Sequence, residues 1–141
     1  MEINELSVFM ENRPGQLLEI TSLLAKAGIN MLAINISDSI NYGHLRMIVD
    51  DFERAVKVFK ENDLIFKSKK VYVTKVPNIP GALDAQLRVF GDLGIDIAYM
   101  YSLFISTSTA AYMVFALKNS DDINKIQTAL TLVSAQELGI K

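Results

Sequence analysis

Cysteine is absent from the 141-residue chain and histidine occurs once, as His44. Disulfides, thiolate nucleophiles, zinc ribbons and histidine metal clusters are thereby excluded within one chain, and such a composition suits a reducing cytoplasm. A Walker-type or dinucleotide glycine loop is also missing. Basic charge is not in excess: 14 Lys and Arg stand against 16 Asp and Glu, for a net charge of −2 and a pI near 5.4. Neutralising a phosphate backbone needs clustered cations, so no nucleic-acid partner is expected. The densest basic stretch, Lys67-Ser68-Lys69-Lys70, reads as a solvated strand edge that deters aggregation, with an anion site as the alternative. The longest apolar run, residues 110–117, falls far short of the ~20 residues that cross a bilayer. The acidic start Met1-Glu2-Ile3-Asn4-Glu5 lacks a signal-peptide layout, so neither export nor a membrane partner is expected.

What is present is apolar residue in quantity. Half the chain is hydrophobic and 21% is charged, enough to build a core without a disordered tail. Length permits one ordinary domain or two small ones.

An internal repeat decides between them. Shifted by sixty-six positions, Asn12 falls on Asn78, Pro14 on Pro80, Gly15 on Gly81, Leu17 on Leu83, Gly28 on Gly94 and Ile29 on Ile95. The expected domains are therefore residues 1–69 and 70–141. In the first copy, residues 5–10 alternate as a strand, and Pro14-Gly15 opens a helix with Leu17, Ile20, Thr21, Leu24 and Ala27 on one face. Proline suits a first helical position and Gly28 suits the stop. Strands follow at 29–37 and 45–49 around a turn at 41–43. Asp50 or Asp51 then caps a second helix bearing Phe52, Ala55, Val56 and Phe59, and a short strand returns at 65–70. The second copy predicts strand 71–76, helix 80–93, strands 97–104 and 110–117, a helix through Ile123, Ile126, Ala129 and Leu130, and a last strand at 132–135. Each copy reads βαββαβ, with only residues 68–70 left as a linker.

The loop Asn12-Arg13-Pro14-Gly15-Gln16-Leu17 and its copy Asn78-Ile79-Pro80-Gly81-Ala82-Leu83 carry the candidate site. A helix start offers oriented N–H donors and roughly half a positive charge to an anion, and a glycine lets a ligand approach the backbone. The amides of Asn12 and Asn78 both donate and accept, which suits a zwitterion. Local chemistry alone favours Asn-x-Pro-Gly as a plain helix cap. Asn30 and Asp96 open the strand after the helix in the two copies, where a turn-favouring residue is expected in any case.

Glu11-Asn12-Arg13-Pro14-Gly15-Gln16-Leu17 with Ala27-Gly28-Ile29-Asn30, repeated as Asn78 to Leu83 with Leu93-Gly94-Ile95-Asp96, resembles the opening of an ACT domain. The resemblance covers essentially the whole chain and is nearest to stand-alone proteins of two ACT domains. It implies an α+β fold: two ferredoxin-like βαββαβ modules in tandem, side by side, each an antiparallel sheet with helices on one face. It further implies an amino-acid-binding regulatory protein. In serine-regulated dehydrogenases of this family, the asparagine two before the proline and the one after the glycine–hydrophobic pair hold the effector across a domain interface. Those positions are Asn12 and Asn30 here, then Asn78 and Asp96. Asp96 departs from the pattern: its carboxylate can pair with a ligand ammonium but would repel a ligand carboxylate, so the two sites are expected to differ in affinity or ligand, with a single functional site as the alternative.

Tyr99 and Tyr101 share a strand face and either line a pocket or cover apolar surface. Met31, Met47, Met100 and Met113 read as core filler. His44, beside a turn, reads as a surface residue, with a contact across an oligomer interface as the alternative. No nucleophile faces the acidic pairs Asp50-Asp51 and Asp121-Asp122, so no enzyme activity and no cofactor are expected. The expectation is a sensor that binds a free amino acid at the strand-to-helix loops near the module interface and answers by a shift of module or subunit orientation. A homodimer and a regulated enzyme are its expected partners. A small enzyme on a ferredoxin-like scaffold and a structural adaptor are the alternatives.

Overall fold

The computed structural model describes residues 1–105 and 109–141. It divides into two compact units, Asn4–Lys69 with Gly139–Lys141, and Lys70–Leu138 with Met1–Ile3. The N-terminal unit contains β1 (Ile3–Glu11) from Asn4 onward, α1 (Gln16–Lys26), β2 (Met31–Asp38), β3 (Tyr42–Val49), α2 (Phe52–Glu61) and the start of β4 (Phe66–Val76). The C-terminal unit continues from β4 through α3 (Ala82–Asp92), β5 (Ile97–Leu103), β6 (Ala111–Leu117) and α4 (Ile123–Ala129).

In the N-terminal unit the strand order is β2-β3-β1-β4. Met47 lies across from both Leu6 and Ile34 in the antiparallel ladders, and Phe9 N–H donates to the Ile65 carbonyl at 2.8 Å. Strand periodicity sends Leu6, Val8 and Met10 to one face, where Leu45, Met47 and Val49 join them. Ile20 and Leu24 of α1, with Ala55 and Phe59 of α2, close over that face. Full burial of a side chain such as Phe59 or Leu24 contributes roughly 1.5–3 kcal/mol. The C-terminal unit repeats the scheme with order β4-β6-β5 and a core of Tyr72, Phe90, Ile95, Phe115, Leu117, Ile126 and Leu132.

The helix stops are built alike. Gly28 N–H donates to Ala25 and Ile29 N–H to Leu24, the paired bonds of a Schellman end, with Gly28 at φ 68. Gly94, also at φ 68, repeats them with Gly91 and Phe90. Asp51 caps α2 by accepting from Arg54 N–H at 3.2 Å, while Asp50 accepts from Asn30 N–H at 3.0 Å.

Several elements differ from the sequence expectation. The strands expected at 65–70 and 71–76 are one continuous strand, β4, so residues 68–70 form no linker loop. No proline or glycine interrupts Phe66–Val76, and nothing else forces a break. The first hairpin turns at residues 39–41 instead of 41–43, because Ser39 bonds to the Tyr42 carbonyl through both its N–H and its hydroxyl. The strand expected at 132–135 shrinks to a bridge between Leu132 and Thr74 and one bond from Val133 N–H to Val73. Ser134 accepts from Glu137 N–H at 3.2 Å and starts turns over residues 135–139.

Candidate functional site

The Pro-Gly loops are tight turns ahead of the helices. Gln16 N–H donates to the Arg13 carbonyl and Ala82 N–H to the Ile79 carbonyl, both at 3.3 Å. Gly15 sits at φ 86, ψ −10 and Gly81 at φ 86, ψ −11, the values a type II turn requires after proline. Pro14 and Pro80 therefore precede the helix caps and do not occupy the first helical position, as the sequence had suggested. One donor of each helix start is spent inside the turn. Neither helix has a side-chain cap at its glycine, so Asn12 and Asn78 are not helix caps.

The two asparagines have different surroundings. Asn12 donates from Nδ2 to Asp38 Oδ1 at 2.6 Å and to the Ser39 carbonyl at 2.7 Å, and its own N–H donates to the Asn41 carbonyl at 3.3 Å. It stitches the end of β1 to the β2–β3 turn. Gly43 sits close across the hairpin: a Cβ there would come within 3.0 Å of the Ser37 carbonyl, while Asn12 Oδ1, at 3.5 Å, would stay in ordinary contact. Beside it, Arg13 is held by Glu19 at 2.9 Å and by Glu11 at 3.5 Å. The hydrogen bond with Arg13 moves the Glu19 carboxyl below its ordinary value, and the same partner raises Arg13.

Asn78 has no side-chain hydrogen bond among the described residues. It borders an open cleft of about 630 Å³ with Lys75, Pro77, Ile79, Thr109 and Ala110, within the ~300–1,000 Å³ usual for small-molecule sites. An adjoining recess shares Asn78, Thr109 and Ala110 and adds Phe104 and Tyr112 among its walls. Lys75 Nζ lies 5.9 Å from the centre of the Tyr112 ring and has no carboxylate partner among the described residues. Ile79 and Phe104 are 66% and 76% exposed, a large apolar surface around one amide and one cation.

The other sequence-chosen residues fall elsewhere. Asn30 and Asp96 stand at the far ends of α1 and α3, about 16 Å of helix from Asn12 and Asn78 at 1.5 Å per residue, so neither unit brings its own pair together. Asp96 is 3.1 Å from Lys118, its carboxylate already engaged. Tyr99 and Tyr101 share a face and stack at 6.3 Å, but neither lines the Asn78 cleft. Leu17 packs on the N-terminal core, whereas Leu83 stays partly exposed. His44 is half-buried, edge-on to Phe9 at 5.8 Å. A groove of about 500 Å³ along α1 touches only Gln16 of the chosen residues. Among the described residues no group of three His, Cys, Asp or Glu could hold a metal, and no helix is long and apolar enough to cross a membrane.

Sequence reasoning missed Asp38, Lys75, Phe104 and Thr109. The repeat held the signal: Asp38 aligns with Phe104 and Phe9 with Lys75, reversals of character beside an unchanged asparagine.

The chain is similar to protein BT0572 from Bacteroides thetaiotaomicron, at 35% identity over 99% of this chain and 96% of that one, with a TM-score of 0.87. Its fold is also similar to the ligand-free regulatory subunit of aspartate kinase from Thermus thermophilus, at 12% identity, 91% and 92% coverage and a TM-score of 0.57. Aspartokinase alpha and beta subunits give 15% identity, 88% coverage of both chains and a TM-score of 0.52. No protein of curated function matches. The family model for ACT domain pairs matches residues 1–140, and the chain belongs to that family.

Proposed function

We propose that this ACT domain pair is a regulatory protein that binds a free amino acid at its Pro-Gly loops, each of residues 1–69 and 70–141 serving as one module. The observation that carries the reading is the open cleft at Asn78, which sets an amide with no side-chain partner among the described residues and the Lys75 ammonium beside exposed apolar side chains at a helix start. A carboxylate meets donors there, and a side chain meets Ile79 and Phe104. No catalytic acid, base or nucleophile is needed for that task. The kinship of fold with a kinase regulatory subunit supports a target enzyme outside the chain. Asn30, Asp96, Tyr99 and Tyr101 lie outside that cleft, and the proposed assembly is a homodimer in which bound effector biases subunit orientation by its differential affinity.

A thermal-shift series over the twenty amino acids tests this. An effector at one hundred times its Kd stabilises by about 2.7 kcal/mol, or several degrees in a chain of this size. A flat melting temperature across the series sinks the reading.

A further inference from the structure

Resting on the reading of the chain as an amino-acid binder, we infer that the cleft at Asn78 is its sole effector site, selective for an amino acid with an apolar side chain, and that Asp38 fills the equivalent place in the N-terminal unit.

Five aligned positions around the two asparagines separate the copies. Around Asn12 they are Phe9, Glu11, Arg13, Glu19 and Asp38; around Asn78 they are Lys75, Pro77, Ile79, Ala85 and Phe104. Three carboxylates and one guanidinium on one side become a single ammonium on the other. A primary amide has two N–H donors, and both of those on Asn12 are taken, one by the Asp38 carboxylate. An incoming carboxylate would have to displace a tethered one and enter a loop that also carries Glu11 and Glu19. Like-charge repulsion and the effective concentration of a group on the same chain both oppose it.

Around Asn78 the balance is reversed. The aligned acceptor is Phe104, which cannot take the amide protons, and Lys75 supplies the charge complementary to a carboxylate. The Thr109 hydroxyl can accept from a ligand ammonium. What remains of the walls is Pro77, Ile79, Phe104, Ala110 and Tyr112, which offers an aliphatic or aromatic side chain apolar contact and a charged one no partner.

Isothermal titration of the full chain with L-leucine, L-phenylalanine, L-serine and L-aspartate tests the inference. One equivalent per chain of leucine or phenylalanine is expected, with serine and aspartate at least ~tenfold weaker. Lys75→Met should weaken binding ~tenfold, and Phe104→Asp, which installs an acceptor of the Asp38 kind, should abolish it. An unchanged melting temperature certifies that these surface variants fold. Two equivalents per chain, preference for aspartate or serine, or binding lost in Asn12→Ala and kept in Asn78→Ala each overturns the inference while leaving an amino-acid binder in place. No heat and no thermal shift with any amino acid removes the inference together with the reading beneath it.

Discussion

Asn12 and Asp38 are twenty-six residues apart in sequence and 2.6 Å apart in space, joined by a bond that fastens the end of β1 to the end of β2. Both are exposed, so the bond is worth about 1 kcal/mol and not more. Asp38→Ala and Asn12→Ala should each lower the melting temperature by a few degrees, and the double mutant should fall short of their sum by ~0.5–1 kcal/mol. Strict additivity in a denaturant double-mutant cycle would show that the two groups are not coupled in solution.

Gly15 and Gly81 share φ 86, and a Cβ at either would meet nothing within 4 Å. Only backbone conformation is then at stake. Alanine at each position should cost about 1–2 kcal/mol, with no difference in packing between them. Equilibrium unfolding in urea measures both; a neutral Gly81→Ala would contradict the turn geometry described here.

Asp63 is the single non-glycine residue at positive φ among the described residues, at 55°, and it ends α2 with a negative charge near the helix C-terminus. Its N–H donates to Lys60, and Leu64 N–H to Phe59, the same pair of bonds that Gly28 supports after α1. Asp63→Gly should therefore stabilise the chain by ~0.5–1 kcal/mol, seen as a raised thermal midpoint.

Glu19 has its carboxyl pulled below the ordinary 4.5, first by the hydrogen bond from Arg13, against desolvation in the other direction and with the Arg13 charge adding to the pull. A depressed carboxyl adds stability above the unfolded value, and that stability is lost as pH falls through the folded one. An NMR titration should place Glu19 below 4.5 in the native chain and return it to the ordinary range in Arg13→Ala. A midpoint that ignores the substitution would mean the pair is not formed.

The sequence made the fold legible where local chemistry and burial agree. Leu6, Val8 and Met10 alternate, Ile20 and Leu24 repeat at helical spacing, and Gly28 and Gly94 mark stops that the backbone confirms. It misled where a second bonding option competed. Ser134 turns residues that read as a strand, and the type II turn moves each proline out of its helix. The candidate site was legible as a loop but not as an environment. Asn12 and Asn78 look alike in sequence, but Asp38, bonded to Asn12, and Phe104, a wall of the recess that Asn78 borders, come from the next hairpin, which no local window contains.

The unequal asparagines also constrain the shape of a dose–response curve. A chain with a single open loop titrates as a plain hyperbola, because its closed copy has no vacancy to couple to. Any sigmoidal response to an effector must then arise between chains, and its steepness would be bounded by the number of associated chains and not of modules.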